Sequence, residues 1–167
     1  TEEELSELLT LGEQAKSLPI LMVGHNRRFS PHTEIMRTWL KSRNTPLVVQ
    51  MRVNCGFVPA THWVHSEEEG RSRIVGEGSH FIDLLQSLTN STVTRVHAER
   101  ISGDNQSTVN NDNVVITLKF IDGSVGSLTY SGTGYKAYSR ETLEIFFDGK
   151  TISSRDFRVS ELHGAGK

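Results

Sequence analysis

The sequence holds one cysteine, Cys55, in 167 residues. An internal disulfide is excluded, and a reducing cytoplasm is the expected setting. No apolar run approaches the roughly 20 residues needed to cross a bilayer, and mean hydropathy is −0.37. Neither sign of charge dominates: 18 basic and 20 acidic side chains leave a net charge of −2 and a pI near 6.4. That balance gives no electrostatic footprint for nucleic acid or an anionic membrane, so neither partner is expected. His62, His65 and His80 stand at separations that fit no zinc pattern, and Cys55 is alone, so no metal is expected. No signal-peptide pattern opens the chain. Thr1 leads directly into a helical pattern, which reads as a piece of a longer protein.

What is present is an ordinary globular composition, 35% apolar and 23% charged, in a length that suits one domain with a core. The most informative stretch runs from Gly70 to Leu88. Gly70, Gly76 and Gly78 read as a flexible loop. Glu77 and His80 follow at a spacing of three. Phe81, Leu84, Leu85 and Leu88 then fall at helical spacing and form one apolar stripe. The pattern predicts a carboxylate and an imidazole delivered to the first turn of a buried helix, a suitable mount for an acid/base group.

Along the rest of the chain, Glu2, Glu3 and Glu4 put negative charge where a helix dipole favours it. Leu5, Leu8, Leu9 and Ala15 mark an apolar face, and Pro19 ends the element. Ile20 to Val23 reads as a short buried strand. Ser30 and Pro31 fit the cap and first residue of a helix whose stripe is Ile35, Met36, Trp39 and Leu40. Leu47 to Phe57 is a predicted strand. Pro59 to Arg73 is a long polar loop with His62, Trp63, His65 and the solvated run Glu67 to Glu69. Strands are predicted over Thr92–Ile101, Asn113–Ile121, Ser124–Tyr130, Glu141–Phe147 and Thr151–Ser153. Asp122-Gly123 and Asp148-Gly149 are the hairpin turns. Gly103 to Asp112 and Ser131 to Ser139 are polar connections. The tail from Asp156 to Lys167 shows no period.

Two hairpins and further strands imply a mostly antiparallel sheet. Helices near 32–43 and 80–88 need a surface for their stripes, and one sheet face supplies it. The expected fold is α+β: an open-faced, mostly antiparallel sheet with helices packed on one face. The other face calls for a cover, and a homo-oligomer built sheet against sheet is the simplest.

Three segments carry a resemblance: LMVGHNRRFSP (Leu21–Pro31), GEGSHFIDLL (Gly76–Leu85) and RETLEIFFDGK (Arg140–Lys150). In this order they resemble the C-terminal domain of the glucose–fructose oxidoreductase / inositol dehydrogenase / rhizopine catabolism (Gfo/Idh/MocA) family. RIVGEGSHFIDLLQ and DFRVSELHGAGK look most like a subgroup fused to a zinc-type alcohol dehydrogenase-like part. The resemblance implies an NAD- or NADP-dependent oxidoreductase acting on a sugar, sugar acid or nucleotide-sugar. It implies that residues 1–24 are the last helix and strand of an N-terminal dinucleotide-binding domain. That domain would carry the Gly-rich loop and a Glu-Lys-Pro lysine. Residues 25–167 would then be the substrate-binding and oligomerisation domain, inactive alone. The alternative is a non-catalytic sugar-binding or oligomerisation module.

The family's histidine matches His80, which shuttles a proton at the reacting hydroxyl or carbonyl. The family's aspartate four residues earlier is here Gly76, and Glu77 is the nearby carboxylate that can substitute. From spacing alone, His80 serves equally as a histidine bonded to a loop; the resemblance decides for catalysis. Glu77 is the second catalytic candidate, or simply an acidic residue at a helix start. Asp83, three residues after His80, could reach its ring or bind substrate, but from the residues alone stabilisation of the first helical turn or a structural hydrogen bond is the favoured role. Arg28 matches the family's Arg-Phe pair and is a substrate-binding candidate. Arg27 could neutralise a cofactor phosphate; either arginine could instead be a solvated or interdomain ion pair. Trp63, Tyr135 and Tyr138, in loops, could stack on a sugar ring or simply pack.

Overall fold

The computed structural model describes residues 1–17, 20–103 and 108–164. Helix α1 spans Glu2–Gln14, α2 Pro31–Leu40 and α3 Ser79–Thr89. The strands are β1 (Val48–Asn54), β2 (Val93–Arg100), β3 (Asn113–Phe120), β4 (Val125–Ser131), β5 (Glu141–Phe147), β6 (Lys150–Arg155) and β7 (Val159–His163). They make one open sheet in the order β2-β3-β4-β1-β5-β6-β7. All neighbours are antiparallel except β1 and β4, which run parallel with Met51 beside Leu128. The fold is the α+β class expected.

Alternation along the strands decides what is buried. Val49, Met51 and Val53 point to the helices, as do Leu128 and Tyr130, Ile116 and Leu118, and Leu143 and Ile145. The stripe of α3 lands on them: Phe81, Leu84, Leu85 and Leu88 are all buried. Each such side chain contributes about 1.5–3 kcal/mol on leaving water, which fixes α3 against the sheet. The stripe of α2 is turned from the expected one. Met36 and Leu40 are buried with Thr33, Trp39 is half-buried, and Ile35 is exposed. Thr33 is drawn inward because its hydroxyl donates to the Arg27 carbonyl at 2.7 Å.

The hairpins form where Asp-Gly predicts them. Asp148 and Gly149 both take left-handed φ, 47° and 72°, as a two-residue turn matched to strand twist requires. The tail expectation fails. Residues 159–163 form β7 against β6, and α2 reaches β7 through His32 Nδ1 and Ser160 Oγ, 2.9 Å apart. The end of the tail, residues 165–167, lies outside the described residues, as do Pro19 and residues 104–107 of the polar connection.

The expectation of a buried strand over Ile20–Val23 is not met: these residues form no strand and are 100%, 81%, 79% and 70% exposed. Helix α1 buries none of its residues, although Thr1 and Glu4 make the predicted acidic start into a capping box.

The glycine-rich stretch is not a loose loop either. Ile74–Gly78 forms a π-helical turn that runs straight into α3. Gly70 sits so close to the backbone that an added Cβ would lie 2.4 Å from Val64 Cα. Glu77 and His80 are therefore inside one continuous helical path, and no free helix N-terminus lies beside them.

Candidate active site at one end of the sheet

The polar residues collect at one end of the sheet. There the C-terminal ends of β1, β4 and β6 meet the N-terminal ends of β3, β5 and β7 and the turn leading into α3. His80 is half-buried, and its Nδ1 is buried with no hydrogen-bond partner among the described residues. The His25 ring meets it edge-on, centroids 5.1 Å apart. Burial depresses the imidazole pKa below its usual 6.5, helped by the positive field of Arg27 and by His25; Asp83 and Glu77 pull the other way. The neutral ring thus dominates at pH 7, the form able to accept a proton.

Around this ring the charges are paired. Arg28 grips Asp83 with two bonds, Nε at 2.8 Å and Nη2 at 2.5 Å, and His25 Nδ1 lies 3.4 Å from the same carboxylate. Arg27 grips Glu141 in the same way, at 2.9 and 2.5 Å, and its guanidinium lies over the Phe81 ring at 4.3 Å. Both arginines have the bidentate geometry that makes carboxylate pairs strong. Arg27, the cofactor-phosphate candidate, already spends two donors on Glu141. Arg28 and Asp83, two substrate-binding candidates, are each other's partners.

Glu77 belongs to a second, deeper cluster. Its Oε1 accepts from Arg73 Nε at 3.0 Å and its Oε2 from Arg140 Nη2 at 3.3 Å. Burial tends to raise its pKa, but the Arg73 bond and the nearby cations hold it below the ordinary carboxylate range. Arg73 is only 4% exposed. It also donates to the carbonyls of Gly56 at 2.8 Å and Cys55 at 3.2 Å, and to Asp112 Oδ2 at 3.4 Å. Burial pushes the Asp112 carboxyl up, opposed by His65 and Arg73. His65 Nε2 stands 3.6 Å from Asp112. The cluster clamps the strap from Cys55 to Arg73 onto the sheet end and ties that strap to the turn carrying Glu77. Burial likewise pushes the Cys55 thiol up, so it is not a poised thiolate.

The structure therefore brings His80, Asp83, Arg28 and Arg27 together, with Glu77 close enough to act on His80 through its charge. Trp63 and Tyr135 do not join them. Trp63 is exposed on a short 3-10 turn, tilted against the His62 ring at 5.6 Å. Tyr135 is 79% exposed, and its carbonyl accepts from Asn54 Nδ2. The sequence reading missed His25, Arg73, Asp112, Arg140 and Glu141. The i,i+4 spacing of Arg73 and Glu77 was the one local signal available. Among the described residues no group of three or more His, Cys, Asp or Glu side chains could hold a metal. Among the described residues no helix is long and apolar enough to cross a membrane.

Fold and site together define an α+β domain with a half-buried histidine and paired charges gathered at one end of an open sheet. The chain belongs to the GFO/IDH/MocA C-terminal domain family, whose model matches residues 44–153. A comparison with curated proteins finds no match. Among solved structures, the chain is similar to UDP-N-acetylglucosamine 3-dehydrogenase GnnA from Acidithiobacillus ferrooxidans: TM-score 0.73, 20% identity, 99% of this chain and 49% of that one. It is similar to the WlbA dehydrogenase from Bordetella pertussis, solved with NADH and UDP-GlcNAcA: TM-score 0.74, 16% identity, coverage 96% and 51%. It is also similar to a super-repressor mutant of Gal80p from Saccharomyces cerevisiae: TM-score 0.73, 12% identity, coverage 96% and 49%. At these identities the likeness is one of fold. The chain spans about half the length of the solved structures it matches.

Proposed function

We propose that these residues are the substrate-side domain of an NAD(P)-dependent oxidoreductase acting on a sugar, sugar acid or nucleotide-sugar, at a secondary alcohol or ketone. The observation that carries this reading is the placement of His80, half-buried beside the Arg28–Asp83 and Arg27–Glu141 pairs, where burial and the Arg27 charge hold its pKa below the usual 6.5. A nicotinamide, when bound, supplies the hydride acceptor or donor. His80 takes the hydroxyl proton when the alcohol is oxidised and returns it when the ketone is reduced. Asp83, fixed by Arg28, faces His25 and favours the protonated state of His80 once formed. Glu77 assists through its charge, with both oxygens held by arginines.

Residues 1–24 belong in this reading to the dinucleotide-binding domain. The support is that α1 buries nothing and that Ile20–Val23 lies open to water. The open sheet face joins a second copy in a cytoplasmic homo-oligomer. Val48, Val115, Val125 and Phe146 give that face an apolar component, 37–49% exposed.

The test is His80→Ala in the full-length protein. Turnover should fall by roughly 100-fold or more, the scale of a lost general acid/base. Near-normal turnover removes His80 from the reaction.

A second reading, a non-catalytic sugar-binding or oligomerisation module, draws on Gly76 standing where the family has aspartate. Nothing lies within 4 Å of a Cβ added at Gly76, so Gly76→Asp fits without a clash. A full-length protein without turnover that gains it on Gly76→Asp supports this second reading. Turnover by the unaltered protein supports the first.

A further inference from the structure

Strand β2 (Val93–Arg100) closes one edge of the sheet, with β3 on one side and, among the described residues, no strand on the other. Such an edge presents a row of unpaired backbone groups, a ready template for another strand. Edges are kept from pairing by shortness, proline, a bulge, a cover or charge. Strand β2 has eight residues and no proline, and its one register shift lies at its start, between Val93 and Arg95. Every residue from Thr94 to Arg100 is exposed. Its charges are of both signs, with Arg95 and Arg100 beside Glu99. Mixed charge repels some partners and attracts others, so the arrangement of the charges decides what the edge accepts.

The ladder to β3 determines which backbone groups are free. Ile101 N donates to the Asn113 carbonyl at 3.1 Å, and the register runs on from there to His97 beside Thr117 and Arg95 beside Lys119. Backbone groups point to alternate sides along an antiparallel strand. Residues 95, 97 and 99 therefore bond to β3, as Ile101 does, and the N–H and C=O groups of Val96, Ala98 and Arg100 point to the free edge. Side chains alternate as well. Arg95, His97 and Glu99 share the open face with Val115 and Thr117, while Val96 and Ala98 lie on the face that carries the helices, where no helix covers them: Val96 is 59% exposed. The charges on this strand lack good partners within their own copy. Arg95 stands opposite Lys119, a like charge that is unfavourable across a strand pair. Among the described residues Arg95 makes no ion pair, and Glu99 reaches only His97, whose Nε2 lies 3.6 Å from its Oε1.

We propose that β2 pairs antiparallel with β2 of a second copy about a two-fold axis at His97, joining the two sheets edge to edge. Only even-numbered residues offer free backbone groups, so even must meet even, and a two-fold axis then sets some residue opposite its own copy. Centred on His97, Val96 meets the partner's Ala98 and exchanges backbone bonds with it. Arg95 meets the partner's Glu99, and Glu99 meets the partner's Arg95. These last two are the pairs without backbone bonds between them, where facing side chains come closest. Centring on Val96 sets Arg95 against the partner's His97, and centring on Ala98 sets Val96 against the partner's Arg100; either choice loses both arginine–glutamate pairs. The charge order of β2 is thus complementary to itself in one register, as an isologous contact requires. This contact uses the edge of the sheet and not its open face, and it does not rest on the oxidoreductase reading.

The experiment is analytical ultracentrifugation of the full-length protein, with amide exchange followed by mass spectrometry. The parent protein should self-associate, and residues 94–100 should be protected from exchange. Arg95→Glu or Glu99→Arg alone turns two attractions into two repulsions, and either should raise the Kd of the edge contact by roughly 10- to 100-fold and remove that protection. The double variant Arg95→Glu/Glu99→Arg swaps the charges and should restore both the parent Kd and the protection. Val96→Pro removes an N–H that no strand of the same copy uses, so its circular dichroism should match the parent's while the edge contact is lost. If a single variant fails to fold, Val96→Pro and the swapped variant decide. A parent protein that stays monomeric overturns the proposal, as does a swapped variant that associates no better than the single ones. Association that survives every variant with an unchanged Kd belongs to the open face and overturns the edge pair. Protection of residues 94–100 in a monomer sets another segment on this edge and likewise overturns it. Turnover does not enter these readouts, so failure of the edge pair leaves the oxidoreductase reading standing, and loss of that reading leaves the edge pair untouched.

Discussion

Replacing Arg73 by methionine tests the clamp beneath the candidate site most directly. Arg73→Met keeps the length and apolar stem of the side chain and removes every donor. The structure shows what would be stranded: the Gly56 and Cys55 carbonyls, Glu77 Oε1 and Asp112 Oδ2. Glu77 is half-buried and retains Arg140 as a partner. Asp112 is 2% exposed and keeps only His65, 3.6 Å away. Removing one partner of a buried pair costs about 3–5 kcal/mol, because the remaining charge stays in a poorly solvated place. For a chain of this size that is a fall in Tm of roughly 6–20 °C. Urea denaturation followed by circular dichroism measures it. Asp112→Asn removes the stranded charge, so the double variant should be more stable than the sum of the two single costs implies, by about 1–3 kcal/mol. Additive single effects, or a cost for Arg73→Met below about 1 kcal/mol, would refute the assignment of Arg73 as the clamp.

Two further predictions follow from neighbouring geometry. Gly70→Ala should destabilise by about 2 kcal/mol or more, since its Cβ would lie 2.4 Å from Val64 backbone atoms; hydrogen exchange should show faster opening of residues 56–73, and unchanged protection there would count against the tight contact. The His80 imidazole should titrate below 6.5 by NMR, and Asp83→Asn should lower the midpoint further, because the Asp83 charge raises it. A depressed histidine pKa destabilises the folded state in acid. Stability should therefore rise with pH through the window just below 6.5, and His80→Gln should flatten that rise.

The parts of this fold written in local pattern were legible. Phe81, Leu84, Leu85 and Leu88 give α3 and its buried face, and Asp148-Gly149 gives a hairpin. The parts set by distant residues were not. Strand β7 follows a turn made by Asp156 and Phe157, which lack the Asp-Gly pairing that marks the other hairpins and whose left-handed backbone is held from β5. The stripe on α2 shifts because Thr33 is bound to Arg27. At the site, the position of His80 could be read from GEGSHFIDLL. The pairs that set its field, Arg27 with Glu141 and Arg28 with Asp83, could not, because each joins residues far apart in sequence. No periodicity encodes which arginine meets which carboxylate.

The parallel pairing of β1 with β4 at the middle of the sheet has a cost in time. These two strands are joined only through everything between Asn54 and Val125, including the clamped strap, α3 and the β2–β3 pair. Loop closure of that span opposes early contact. The β3–β4 and β5–β6 hairpins can zip from their own turns, whereas the seam between β1 and β4 closes a long span that contains α3. Substitutions on the buried face of α3, the helix that presents His80, should therefore slow closure of the central seam as well as disturb the site, an effect that stopped-flow refolding rates would measure.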